Sequence, residues 1–167
     1  MTASVMPGDA TDAFIGLGSN VGDRAAEIEA ALREIGELAA TSLVARSSLY
    51  ESAPLDAEGG DYLNAAARVR TSLAPLVLLR ALQAIEARHG RTRPFANAPR
   101  RLDLDLLLYG DAILATPELT LPHPRLCQRA FVLKPLAEIA PGLRIPGHGV
   151  VVEMLSALGA QRVVKFA

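Results

Sequence analysis

The chain of 167 residues has a single cysteine, no tryptophan and few other aromatic residues. Because Cys127 is alone, no intrachain disulfide can form, and the sequence holds no cysteine pattern typical of a zinc site. Half of the residues are nevertheless apolar. The core must therefore be built from alanine, leucine, valine and isoleucine.

The chain also has little net charge and no long apolar run. A formal net charge of −1 removes any overall attraction to nucleic acid or to an anionic membrane. No apolar segment approaches the ~20 residues that a membrane helix needs, and residues 1–13 show no leader pattern. We therefore expect a soluble, cytoplasmic protein with no nucleic-acid partner and no membrane partner.

The length suits one domain that buries roughly 70% of its unfolded surface. Residues 1–11 are small, polar and turn-prone, so we expect a flexible N-terminal tail there. The remaining residues, 12–167, are predicted to form the single domain.

The clearest pattern is RRLDLDLLLYG, residues 100–110. Leucine and aspartate alternate in it, which predicts a strand with Asp103 and Asp105 on one face. Their backbone positions would lie roughly 6.5 to 7 Å apart, which suits a pair of divalent cations about 3.5 to 4 Å apart. The leucines that follow indicate burial on both faces and hence a central strand. A strand with one solvated face is the alternative that alternation alone leaves open.

Hydrophobic periodicity predicts a mixture of strands and helices in the rest of the chain. Asp23 and Ser72 are the predicted caps of the first two helices, and Pro135 predicts a break or kink in the third. The predicted strands are 13–18, 41–52, 62–71 and, at a sheet edge, 162–166, and the predicted helices are 24–38, 73–90, 130–139 and 151–158.

Three glycines, Gly16, Gly18 and Gly22, occur where the first predicted strand leads into the first helix. Their spacing does not match a nucleotide-binding loop, because Val21 stands where the dinucleotide fingerprint has its third glycine and no Lys-Ser/Thr pair follows. The segment is therefore predicted to be a tight turn into a helix.

Several polar residues leave two interpretations open. Asn64, among alanines and leucines, either bridges backbone groups or reads the amide edge of a flat heterocycle. His123, between two prolines, is either structural or part of a site. The arginines of 88–101 either form a solvated basic loop or, since they lead into the aspartate strand, bind an anionic ligand with its metal.

Four motifs in this order resemble the 6-hydroxymethyl-7,8-dihydropterin pyrophosphokinase family: GSNVGD, the SSLYESAPL to DYLNAA hairpin, RRLDLDLLLYG, and LPHPRLCQRAFVLKPLAEIAP. The resemblance runs from about residue 13 to residue 146. It implies an α/β (α+β) fold, namely a three-layer α/β/α sandwich with a ferredoxin-like βαββαβ core and a mainly antiparallel sheet. It also implies a monomer that transfers diphosphate from ATP to the hydroxymethyl group of the dihydropterin in folate biosynthesis, releasing AMP.

The resemblance also implies roles for individual residues. Asp103 and Asp105 would hold two Mg²⁺ ions between ATP and the pterin hydroxyl, and Arg91 and Arg93 would be catalytic arginines on a mobile loop. The implied nucleotide site is formed by Gln83, Glu86, Arg100, Leu106, Thr120, His123 and Arg129, and the implied pterin site by Ser52, Leu55, Tyr62, Asn64 and Phe131.

The sequence departs from the family pattern at two loops. Asn97 stands where many members have a tryptophan that seals the closed site, and Ala53 replaces a common proline. Two other functions remain as alternatives. One is a two-metal phosphohydrolase that uses the same aspartates with water. The other is a ferredoxin-like module whose arginine loop binds RNA, which the near-neutral charge and the scarcity of stacking aromatics disfavour.

Overall fold

The structure, a computed structural model, describes residues 9–53, 61–90 and 102–166. Within these residues the chain forms ten strands, four α-helices and one short 3₁₀ helix, Leu126–Gln128. The strands are β1 (Thr11–Ser19), β2 (Thr41–Arg46), β3 (Tyr50–Ser52), β4 (Tyr62–Thr71), β5 (Asp103–Tyr109), β6 (Leu114–Ala115), β7 (Thr120–Leu121), β8 (Arg144–Ile145), β9 (Gly149–Val150) and β10 (Val163–Lys165). The helices are α1 (Arg24–Gly36), α2 (Pro75–Arg88), α3 (Ala130–Ile139) and α4 (Val151–Ala157).

One six-stranded sheet organises the domain. Its strands lie in the order β10-β3-β4-β1-β5, and β2 also pairs with β4. Each of these pairs is antiparallel. The order of elements, β1-α1-β2/β3-β4-α2-β5, is the βαββαβ arrangement, so the predicted ferredoxin-like core is confirmed.

Helices cover both faces of this sheet. The larger apolar cluster joins α1 and α2 to inward-facing residues of β1, β4 and β5 and includes Ile15, Leu17 and Leu82. A second cluster joins α3 and α4 to the opposite face around Phe14 and Leu107. The predicted three-layer sandwich is therefore confirmed, and the core is aliphatic as the composition requires.

The predicted strand 41–52 is two strands rather than one. Ser47 interrupts it: its backbone N–H donates to the Ala66 carbonyl, and its buried Oγ accepts from the Ala66 N–H. The register of β4 shifts by one residue between Leu43 and Ala45 and again by Tyr50. A serine side chain thus replaces a ladder bond at an irregular position.

The predicted cap of the second helix is wrong. Ser72 does not cap α2, which begins at Pro75 after Ala74 with no side-chain cap; Thr71 Oγ1 instead accepts from the Leu73 N–H. In α3 the helix continues through Pro135, so it has no break there, and the kink that Pro135 also predicts stays a prediction. Asp23 does cap α1 as predicted, since its Oδ1 accepts from the Ala26 N–H at 3.1 Å.

Candidate active site

The two aspartates of β5 lie on the face of the sheet that α3 covers. Asp103 and Asp105 are both partly exposed. Directly opposite them on β1 stand Gly18 and Gly16, respectively. Cross-strand partners of an antiparallel pair share a face, so the carboxylates border a strip of β1 that carries no side chains. The Leu107 side chain lies over Gly16, and Tyr62 and Asn64 lie beside Gly18.

A β-bulge separates the part of β5 that carries the two aspartates from the part that packs under α3 and α4. Phe14 of β1 pairs with Leu108 and the next residue, Ile15, pairs with Leu106, which makes Leu107 the extra residue. Leu107 and Leu108 both pack under α3 and α4, as expected where a bulge perturbs the alternation of a strand. The two aspartates therefore lie just before a buried apolar part of β5.

The prediction that β5 is a central strand is wrong. In the described part of the sheet, β5 is the last strand and pairs with β1. Its outer edge is covered by side chains and loops instead. The buried carboxylate of Glu86 accepts from the Leu104 N–H at 2.7 Å, and the Leu107 carbonyl accepts from the His123 N–H at 2.9 Å. Glu86 thus holds the backbone between the two aspartates.

His123 faces Asp105 from the loop after β7. Its Nε2 lies 3.9 Å from Asp105 Oδ1, and its Nδ1 accepts from the Arg125 N–H at 3.2 Å. Burial lowers the pKa of His123, and the Arg129 charge lowers it further, although Asp103 opposes this. The imidazole is therefore neutral near pH 7, with its proton on Nε2, which points a donor toward the aspartate edge.

Asn64 lies on the same face, two strands from Asp103. Gly18 separates them in register, so their backbones are roughly 10 Å apart at the usual strand spacing. The Asn64 side-chain nitrogen donates to Ser52 Oγ at 2.8 Å and to the Tyr50 carbonyl at 3.2 Å. The amide nitrogen therefore bridges structural groups, as the first interpretation held, while the amide oxygen lies toward Gly18.

Two of the predicted aromatic residues flank this region. Tyr62 pairs with Ser52 and shares the face of Asn64. Phe131, in the first turn of α3, packs against the cluster around Tyr50, and the Arg129 guanidinium lies 5.4 Å from the centre of its ring. Both rings are partly exposed, which leaves aromatic surface for a flat ligand.

Three predicted nucleotide residues belong to β5 or to α2 and β7, which both contact it. Gln83 and Thr120 are exposed on α2 and β7. The Leu106 side chain is buried in the α1–α2 core, so only its backbone is left for a ligand. Since the Leu104 N–H points away from β1, the backbone of Leu106, two residues on, faces the same edge.

Four predicted residues lie outside the described residues: Leu55, Arg91, Arg93 and Arg100. Gly16 and Gly18 were predicted to belong to a turn and not to this site. They lie within β1 beside the two aspartates, and Gly18 also pairs with Asn64. Their spacing of two residues was the signal, because it places both on one face of a strand.

The donor set fits magnesium. Mg²⁺ takes oxygen ligands and is usually bound by one or two carboxylates together with substrate phosphates and waters. Asp103 and Asp105 supply two such carboxylates on one face. Across residues 9–53, 61–90 and 102–166, no group of three or more His, Cys, Asp or Glu side chains could form a metal site. Two carboxylates suit a metal whose other ligands are substrate phosphates and waters.

Residues 14–141 match the family model described as 7,8-dihydro-6-hydroxymethylpterin-pyrophosphokinase (HPPK). The chain belongs to the HPPK family. It is 47% identical over 145 residues to the 2-amino-4-hydroxy-6-hydroxymethyldihydropteridine pyrophosphokinase of Pseudomonas aeruginosa, covering 86% of this chain and 90% of that protein. The corresponding enzyme of Haemophilus influenzae is 42% identical over 154 residues, covering 92% and 96% of the two chains.

Solved structures with the same fold include that of the wild-type Plasmodium falciparum HPPK-DHPS protein with pteroate. The TM-score is 0.70 at 14% identity, and the match covers 88% of this chain but 42% of that longer one. At this identity the similarity shows the fold alone. The predicted HPPK family, enzyme class and fold are thereby confirmed. None of the helices in the described ranges is long and apolar enough to cross a membrane.

Proposed function

We propose that this HPPK-family chain transfers the terminal diphosphate of ATP to 6-hydroxymethyl-7,8-dihydropterin, which yields AMP and the dihydropterin diphosphate in folate biosynthesis. The observation that carries the proposal is the row Asp103, Gly18, Asn64 across three neighbouring strands. The aspartates and Asn64 share one face of the sheet, with the backbones of Asp103 and Asn64 about 10 Å apart. The family membership supports the same reaction.

The nucleotide side of the site lies along the outer edge of β5. We assign Gln83, Thr120 and the Leu106 backbone to this side because α2 and β7 both contact β5. Glu86 acts through the backbone, since its carboxylate holds the Leu104 N–H. His123 directs its Nε2–H toward Asp105 and could donate to a phosphate oxygen there. Arg129 adds positive charge next to His123.

Asp103 and Asp105 would hold two Mg²⁺ ions, with the phosphates and waters as the other ligands. Magnesium bound there would neutralise the triphosphate, align it for in-line attack and lower the pKa of the pterin hydroxyl. The hydroxymethyl oxygen forms a bond to the β-phosphorus while the bond from that phosphorus to the α,β-bridging oxygen breaks, and AMP leaves. With the hydroxyl acidified, the chain needs no dedicated general base.

The pterin side lies over β3, β4 and the start of α3. Tyr62 and Phe131 offer partly exposed rings on which a flat ring can stack. Ser52 and the Tyr50 carbonyl orient the Asn64 amide so that its oxygen lies toward the glycine strip. A carbonyl oxygen accepts hydrogen bonds, which suits the N–H groups along one edge of a pterin.

Four further assignments rest on the resemblance and the family. Arg91, Arg93 and Arg100 would stabilise negative charge on the transferring group, and Leu55 would complete the pterin pocket. We also propose that the active chain is a cytoplasmic monomer that folds as a single domain, which includes Thr11 at the start of β1, one residue before the predicted boundary.

The test is AMP production from ATP by the purified chain. The proposal expects AMP only when ATP, magnesium and 6-hydroxymethyl-7,8-dihydropterin are all present. A phosphohydrolase would instead release phosphate or pyrophosphate without the pterin, and that result would contradict the proposal. Steeply salt-dependent RNA binding without AMP formation would favour the binding-module alternative.

A further inference from the structure

His89 ties α2 to α1 through both nitrogens of its ring. Its Nδ1 lies 2.6 Å from Glu27 Oε1, and its Nε2 lies 2.5 Å from Glu34 Oε2. Arg88, the preceding residue, donates to the other oxygen of Glu34 from Nε and Nη2. The His89 side chain is only 12% exposed. This cluster of four charged groups is separate from the candidate active site.

The geometry sets the charge of the imidazole. A neutral imidazole has one donor nitrogen and one acceptor nitrogen, whereas an imidazolium has two donors. Carboxylate oxygens face both ring nitrogens of His89, so two donors are required. Burial alone lowers the pKa of His89, but the hydrogen bonds to Glu27 and Glu34 outweigh it and raise the pKa above its ordinary value of 6.5.

The two carboxylates belong to one face of α1. Glu27 and Glu34 are seven residues apart, about 10.5 Å along the helix axis. The two nitrogens of the His89 ring point to opposite sides and therefore bridge that gap. The same arrangement prevents both nitrogens from binding one metal ion. It is a link between helices rather than a metal site.

The link lies at the C-cap of α2, about one helical turn from Glu86. Glu86 precedes His89 by three residues, and residues at this spacing are neighbours on a helix surface. Glu86 holds the Leu104 N–H between Asp103 and Asp105. A single turn of α2 is thus attached to α1 at His89 and to β5 at Glu86.

We propose that His89 is a positioning residue, which in its protonated form locks the last turn of α2 onto α1 and so holds Glu86 against the backbone of β5. The consequence for catalysis rests on the proposed function, but the link itself does not. The link is complete below the ordinary pKa of histidine, 6.5, and is lost as the pH rises through the higher pKa of the folded protein.

Nuclear magnetic resonance of the histidine rings tests the charge state. We expect the His89 ring to titrate above pH 6.5, with both nitrogens protonated below that pH, and Glu34→Gln to shift that titration downward. His148, which is exposed on the β8–β9 hairpin, serves as the internal reference. A His89 titration at or below pH 6.5 in the folded protein would overturn the proposal.

The amide signal of Leu104 tests the positioning role. Its proton reports the hydrogen bond to Glu86, so its chemical shift should follow the His89 titration in the unmodified chain. The matched variants are His89→Gln, which should abolish this pH response, and His148→Gln, which should keep it. A Leu104 shift that shows no titration above pH 6.5 in the unmodified chain would contradict the coupling.

Urea unfolding across the same pH range adds a measurement that needs no ligand. The unfolding midpoint of the unmodified chain should decrease, relative to that of His89→Gln, as the pH rises above 6.5. Parallel curves for the two proteins would contradict the proton-dependent link. Because neither this test nor the resonance tests use ATP or pterin, the link can fail while the proposed function holds, or the reverse.

Discussion

The two faces of the central sheet differ although the same strands form both. Toward α1 and α2, β1 and β5 present Ile15, Leu17 and Leu104, all at most 5% exposed. Toward α3, the positions next to these carry Gly16, Gly18 and the two aspartates. Because side chains alternate along a strand, one short segment supplies both core and chemistry. Stability and activity should therefore respond separately to substitutions at neighbouring residues of β1 and β5 that point to opposite faces.

The largest expected effect comes from the face toward α3, which carries the two aspartates. Asp105→Asn keeps the side-chain size and removes its charge, so AMP formation should fall on the order of 10³-fold, about 4 kcal/mol of transition-state stabilisation. The thermal unfolding midpoint should not fall, because this side chain lies outside the apolar core. The matched control is Asp111→Asn, an exposed aspartate shortly after β5, which should retain activity. A fully active Asp105→Asn protein would show that this carboxylate is not needed for activity, and would contradict the assignment of activity to the face toward α3.

The next largest effect is expected on the face that packs against α1 and α2. Leu17 lies between the two glycines of β1 but points into the α1–α2 core. Leu17→Ala should reduce the free energy of unfolding by about 2–5 kcal/mol, because a buried cavity replaces apolar contact. Urea unfolding measures this loss, and AMP formation per folded molecule should stay within a few-fold of normal. A loss of activity as steep as that of Asp105→Asn would show that the faces are not separable.

A smaller effect is expected at Gly18. An added Cβ would lie 3.5 Å from Tyr62 Cδ1 and 3.6 Å from Asn64 Oδ1, which are ordinary contacts. Gly18→Ala should therefore fold normally but fill part of the strip, weakening pterin binding about tenfold, or about 1.4 kcal/mol. Calorimetry of pterin binding measures this change. Gly159→Ala, where an added Cβ has open space, is the control, and an unchanged pterin affinity for Gly18→Ala would contradict the assignment.

The smallest expected effect concerns the contacts that attach α3 to the sheet face that carries the aspartates. Glu138 accepts from the Tyr50 hydroxyl at 2.6 Å and from Ser48, and burial together with Glu138 raises the pKa of Tyr50 to about 12. The hydrogen bond of neutral Tyr50 is present below pH 10 and is lost as the pH rises toward about 12.

Glu138→Gln should move the titration of Tyr50 back toward 10, as followed by tyrosinate absorbance, and should cost about 1 kcal/mol of stability. Glu153→Gln, on exposed α4 surface, should change neither quantity. An unmoved Tyr50 titration would show that burial alone raises this pKa.

Local patterns in the sequence predicted much of this molecule. Alternation placed Asp103 and Asp105 on one face, and the limits of β4 match the predicted strand 62–71. Both features depend on neighbouring residues. That the aspartates and Asn64 belong to one site was also predicted, but only from the family resemblance, which supplied the order of the motifs.

Features that depend on distant pairing were not predicted. The position of β5 at the end of the sheet follows from which strands pair, and Glu86 and His123 make that edge stable by binding its backbone. The glycine strip depends on the register between β1 and β5. The partners of His89 lie 62 and 55 residues earlier in the chain, so no local periodicity indicates them.

Calorimetry of a non-hydrolysable ATP analogue tests the central claim most directly, namely that the β5 carboxylates bind the nucleotide through magnesium. The unmodified chain should bind the analogue in magnesium and lose most of that affinity when the metal is chelated. Asp103→Asn should bind weakly in both conditions, while Asp111→Asn should behave as the unmodified chain. Equal, magnesium-independent affinity in the unmodified chain and in Asp103→Asn would contradict the account.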